Sequence, residues 1–113
     1  MNSFLWMQGL PGAITVSDAD GIIIAMNDQS AEVFAEDGGW KLIGSSIFAC
    51  HPEPSRSKLM ELYKSRKKNI YTIEKKGLKK LIYQTPWYHD QEFAGYIEIS
   101  LEIPFDMPHF IRD

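Results

Sequence analysis

The stretch Asp18-Ala-Asp-Gly-Ile-Ile-Ile-Ala-Met-Asn27 decides how this chain folds. Asp20-Gly21 supplies the positive-φ position that a tight turn requires, and the apolar run Ile22 to Met26 has the β-branched character of a strand. Just upstream, Ala13 to Ser17 is a second β-prone run, so the two form a hairpin around Asp18 to Gly21. Asn27 or Asp28 then caps a short helix, in which Ala31, Phe34 and Ala35 share one face until Asp37-Gly38-Gly39 halts it.

On the N-terminal side of this hairpin, Phe4, Leu5, Met7 and Leu10 are spaced for a short amphipathic helix within residues 1–10, stopped by Pro11 and Gly12. So short a helix is not stable unpacked. The expected cover is a second copy, with Phe4, Leu5, Met7 and Leu10 forming a twofold homodimer contact. On the C-terminal side, residues 40–49 read as an irregular connector punctuated by His51-Pro52-Glu53-Pro54, and a helix follows from Ser55 to about Lys68. From Asn69 the apolar period changes to two, through Ile70 to Lys75, Lys80 to Tyr88 and Glu92 to Ile103, with turns at Gly77 and His89-Asp90-Gln91. In the last run Ile97, Ile99, Leu101 and Ile103 alternate with Tyr96, Glu98, Ser100 and Glu102, which assigns the isoleucine side to the core and the glutamate side to water. Pro104 and Pro108 end the strand and leave residues 104–113 as a tail. Two strands, short helices, one longer helix and three strands make an α+β fold, an antiparallel sheet with helices packed on one face, over residues 11–103.

Composition agrees with one ordinary domain: 113 residues, 44% apolar and 24% charged. No apolar run approaches the ~20 residues of a bilayer-crossing helix. The start Met-Asn-Ser-Phe-Leu-Trp-Met-Gln has no basic residue before its short apolar stretch, so no secretory signal is expected, and a lone Cys50 fits a reducing, cytoplasmic setting. Net charge is −3, yet eight of the twelve basic residues fall between Lys64 and Lys80 against one acid, Glu74. Such a run serves either to dock anions or to keep a helix end and hairpin soluble. Without interleaved stacking aromatics, the reading favours solubility and expects neither nucleic acid nor membrane as partner.

The order of these elements, with Asp18 to Asn27, Leu42-Ile-Gly44-Ser-Ser-Ile47 and Glu92-Phe-Ala-Gly95-Tyr-Ile-Glu-Ile-Ser-Leu101, resembles the PAS domain, a sensory and interaction module. The likeness covers about residues 10 to 103, and the run from His51-Pro52 to Trp87 is similar to small bacterial members of that family. The resemblance implies a five-stranded sheet of order 2-1-5-4-3, a central cavity between sheet and helices, and signalling in trans through ligand binding or dimer contacts.

The candidate chemistry is that of binding. No phosphate loop, nucleophile elbow or His-Glu-x-x-His occurs, so no catalytic residue and no enzyme is expected. His51, His89 and His109 lie too far apart for a local metal motif, and the calcium-loop start at Asp18 fails at Ile23 and Gln29. Cys50 comes six residues after Gly44, against three for the adduct-forming cysteine of flavin photosensors of this family, and reads as a small buried thiol. A haem ligand on the longer helix is missing, which leaves only His51 for that minor alternative. Strand alternation sends Tyr71 one way, and Tyr83 with Trp87 toward the same interior if the hairpin is regular. The pocket candidates are therefore Phe48, His51, Tyr71, Tyr83 and Trp87, facing a small molecule of unstated identity; the cofactor, if any, stays unknown, and a ligand-free interaction or dimerisation module is the other reading.

Overall fold

A computed structural model describes residues 5–113. Five antiparallel strands form one sheet in the order β2-β1-β5-β4-β3, with β1 at Ala13–Asp18, β2 at Ile23–Met26, β3 at Asn69–Lys75, β4 at Leu78–His89 and β5 at Glu92–Ile103. Four helices accompany them: α1 at Leu5–Gly9, α2 at Asp28–Val33, α3 at Ile47–Cys50 and α4 at Ser55–Ser65. The connector expected to be irregular contains one short 3-10 turn, Gly39–Leu42, and α3, whose start is capped by the Ser46 hydroxyl accepting from the Phe48 and Ala49 amides.

The first hairpin closes as its sequence requires. One Asp18 carboxylate oxygen accepts from the Asp20 and Ile22 amides at 2.9 Å each, and Gly21 takes φ +80, which a side chain would resist. Asn27 then does more than cap α2. Its amide oxygen accepts from the Ile14 and Ser30 amides at 2.9 and 3.0 Å, and its amide nitrogen donates to the Met7 and Gly12 carbonyls at 2.9 and 2.7 Å. A side chain of 0% exposure thus fills all its hydrogen-bonding capacity and ties β1, α2 and α1 together.

That tie settles where α1 packs within the described chain. Met7 is buried in its own protomer, while Leu5 and Trp6 are 57% and 67% exposed. Leu10 is partly buried, and Phe4 lies outside the described residues.

The turns of the second half set which residues share a face. Lys76 and Gly77, both at positive φ, make a two-residue loop that pairs Lys75 with Leu78, and hence Tyr71 with Ile82 and Ile70 with Tyr83. Tyr71 and Tyr83 therefore sit on opposite faces. Asp90 and Gln91, again at positive φ, close the β4-β5 hairpin, and a one-residue bulge opposite Trp87 and Tyr88 shifts the register so that Gln84 pairs with Glu98. A one-residue slip turns every side chain to the other face, so this bulge aligns Glu98 with Gln84 and Asn69. The Ile99, Leu101 and Ile103 side of β5 faces away from α3 and α4, and the side carrying Tyr96, Glu98 and Ser100 faces those helices. This corrects the assignment of the glutamate side to water.

The basic residues also separate. Lys64, Arg66, Lys67 and Lys68 sit where α4 meets β3, whereas Lys75, Lys76, Lys79 and Lys80 surround the far end of β3. Seven extended residues, ~23 Å, divide the run into two small clusters.

Candidate functional site

Between the polar face of the sheet and helices α3 and α4 lies a cavity of about 920 Å³. Its existence follows from how little α4 gives to the core. None of the α4 residues is fully buried, and the helix is secured chiefly near its C-terminal end. There the Tyr63 hydroxyl donates to the Asp18 carbonyl at 3.0 Å and meets the Ser17 hydroxyl. The Tyr96 hydroxyl reaches from β5 to the Leu62 and Lys67 carbonyls at 2.5 and 2.9 Å, sharing the Leu62 carbonyl with the Arg66 amide that closes the helix. Arg66, in the left-handed conformation, closes the helix and lays its guanidinium 4.3 Å from the Phe93 ring centre. Tyr63 also packs on Phe48 and Tyr96, with ring centres 5.0 and 4.8 Å away. The N-terminal half of α4 forms the rim through Ser55, Lys58 and Leu59.

The cavity wall is apolar where the helices and β2 supply it, through Ile23, Met26, Phe34, Leu42, Ile47, Leu59 and Leu62. Its floor is polar. Thr15, Glu98, Gln84 and Asn69 occupy one register row across β1, β5, β4 and β3, and Ser17, Tyr96 and Tyr71 lie beside them. The row is joined laterally: the Asn69 amide donates to the Gln84 carbonyl oxygen at 2.8 Å, and the Gln84 amide donates to a Glu98 carboxylate oxygen at 3.1 Å. Burial raises the pKa of Tyr71 above the usual phenol value, and the Glu98 charge adds to it. Tyr63 and Tyr96 are raised in the same sense, again chiefly by burial.

Of the five aromatic and histidine candidates, the cavity brings together His51 and Tyr71. His51 follows α3, and its Nδ1 donates to the Ile47 carbonyl at 2.6 Å, so the ring closes that helix from the cavity side. Phe48 packs behind the wall, against the cluster of Ile23, Met26 and Ile47. Tyr83 and Trp87 belong to the opposite face of β4, because the two-residue turn sets Ile82 opposite Tyr71; Trp87 crosses the Gly95 position to donate its indole N–H to the Ser17 carbonyl at 3.0 Å. Cys50, expected as a buried thiol, is exposed at the end of α3. Glu98, Gln84, Asn69, Tyr63 and Tyr96 are the floor and anchor residues that sequence reading passed over. For Glu98 and Gln84 the signal is Gly95 within a strand, the mark of a bulge that resets the register of β5 against β4.

Among the described residues no group of three or more His, Cys, Asp and Glu side chains is placed to hold a metal ion, and no helix is long and apolar enough to cross a membrane.

No protein-family model matches this chain, and no curated protein matches it in sequence. Solved structures match in shape. The C-terminal domain of a Streptococcus mutans protein superposes with a TM-score of 0.70 at 21% identity, over 87% of this chain and 80% of that one. A sensory box sensor histidine kinase from Vibrio cholerae gives 0.63 at 16% identity, over 92% and 90%. The Vibrio cholerae Aer2 receptor, described as a dual PAS-heme oxygen sensor, gives 0.58 at 16% identity, over 87% and 99%. With the strand order 2-1-5-4-3, these similarities show that the chain has the PAS fold.

Proposed function

We propose that this chain is a sensory module that takes a small molecule into the cavity beneath α4 and passes the event on through contacts with another protein. The observation that carries the reading is the cavity itself: about 920 Å³, with an apolar wall and a few convergent polar groups, matches the size and character of small-molecule sites. The attachment of α4 supports it, since a helix pinned at one end moves at its rim more cheaply than one buried along its length. One fold neighbour, the Aer2 receptor, is described as a heme-bearing sensor. The arrangement calls for no bond-making chemistry, so the reading is of a binding protein and not of an enzyme. Native mass spectrometry of the protein purified from its own host tests this. A stoichiometric mass increment that disappears on denaturation is the expected result, and the bare chain mass in repeated preparations overturns it.

A second reading, an interaction module that signals without a ligand, has its own observation. The face of the sheet away from the cavity carries Leu81, Tyr83, Ile99 and Leu101, none of them fully buried, and Ile70 at its edge is 50% exposed. We infer that association, including with a second copy, uses this face together with the exposed Leu5 of α1. Analytical ultracentrifugation at micromolar concentration decides it: a dimer that Leu5→Glu and Tyr83→Glu each weaken is expected, and a monomer throughout removes the reading.

A further inference from the structure

We infer that the molecule taken by this cavity carries a positively charged, hydrogen-bond-donating nitrogen, an amine or amidine on an apolar body, and that the Glu98 carboxylate receives it. The inference rests on the cavity reading above and specifies its chemistry. The hydrogen bonds on the floor run in one direction. Asn69 donates to Gln84, and Gln84 donates to Glu98, so the chain of donors ends on an acceptor. A carboxylate offers about four lone-pair positions, of which Gln84 occupies one. The next residue in the same row, Thr15, bonds through its hydroxyl with the Ser30 hydroxyl at 2.6 Å, and among the described residues no hydrogen bond joins it to Glu98. Among the described residues Glu98 forms no ion pair.

Charge balance around the cavity leads to the same class of ligand. Glu98 on β5 and Asp37 beyond α2 are its acids, and Lys58 is its one lysine, placed on the exposed rim and not on the floor. An apolar ligand filling the space strips water from Glu98 and returns no hydrogen bond for it, which disfavours such a ligand. An anionic ligand adds repulsion on the floor. A cationic nitrogen donor instead forms a charge-assisted hydrogen bond there, while Leu59, Leu62 and Ile47 cover the apolar remainder. The phenol of Tyr71, on the same face as Glu98, is placed to accept or donate a second bond.

The test uses three probes with one carbon skeleton: phenethylamine, 2-phenylethanol and phenylacetate, each titrated into the isotopically labelled full chain and followed by amide chemical shifts. The amine is expected to move the Gln84, Glu98 and Tyr71 signals and to bind at least about tenfold more tightly than phenylacetate, an advantage that Glu98→Gln erases. Phenylacetate binding as tightly as the amine in the unmodified chain overturns the inference, whether or not the variant folds. If 2-phenylethanol still reaches these signals in that case, the cavity reading survives alone. If none of the three probes reaches them, the cavity reading falls as well.

Discussion

Phe34, which ends α2, and helix α4 border the same cavity, and the two helices are held by opposite means. Asn27, at the start of α2, is fully buried and makes four side-chain hydrogen bonds to backbone groups from three segments. Helix α4 buries no residue fully and depends on two tyrosine hydroxyls and one arginine near its C-terminal end. The difference teaches how a small domain keeps a binding space open: one side is over-determined by hydrogen bonds, so the other need not contribute to the core. Local stability should be graded accordingly, with α4 opening at lower free energy than the β1-β2-α2 corner.

The largest expected effect comes from the dense side. Asn27→Ala leaves the Ile14 and Ser30 amides and the Met7 and Gly12 carbonyls without partners in a site closed to water, and a loss of about 4 kcal/mol is expected from several such groups. Urea denaturation monitored by tryptophan fluorescence measures it. A loss below about 1.5 kcal/mol means that the corner is not the rigid partner in this comparison.

A smaller effect, confined to one element, is expected from the sparse side. Tyr96→Phe removes the hydroxyl that caps the Leu62 and Lys67 carbonyls and is expected to cost about 1 kcal/mol. Hydrogen exchange sharpens the comparison, because the amides of α4 should exchange faster by about fivefold while those of β1 and α2 keep their protection. Uniform acceleration across the chain would show that α4 opens only with the whole domain.

Much of this architecture is legible in the sequence, and the limit is physical. The Asp18 to Asn27 hairpin, the α4 segment and the three closing strands are local: each is fixed by a turn residue, a cap or an alternation that acts within a few positions. Which face of β5 meets the helices is not local. Alternation at Tyr96 to Ile103 defines two faces but does not say which one the helices cover, and the answer depends on the two-residue turns and on the bulge near Gly95. The apolar face looked like the core because burial usually follows hydropathy. Here the polar face lines a cavity, and Ile99 and Ile103 sit on the far side. For the same reason His51 and Tyr71, of the residues expected there, reach the cavity whereas Tyr83 and Trp87 do not, and Glu98 enters the site only once the register is known.

The smallest expected effect is on pH dependence, and it isolates the α4 anchor. Tyr63, Tyr71 and Tyr96 all hold their protons above the ordinary phenol value of 10.0, chiefly because burial disfavours the phenolate; for Tyr63 the Asp18 charge adds to this, while its bond with Ser17 opposes it. A group that binds its proton more tightly folded than unfolded contributes stability that is fully present below the unfolded value. That contribution is lost as pH rises through the folded value. The domain should therefore be indifferent to these groups through neutral pH and lose stability above pH 10, as the phenolates form and can no longer donate to the Asp18, Leu62 and Lys67 carbonyls. Lysines titrate in the same range. The comparison is thus between the unmodified chain and the Tyr63→Phe, Tyr96→Phe double variant, followed by melting temperature and by tyrosinate absorbance. The unmodified chain should show the steeper alkaline fall and a late-titrating pair of tyrosines that the variant lacks. Identical alkaline profiles would mean that both hydroxyls already titrate as free phenols, and the tyrosine anchor of α4 would have to be abandoned.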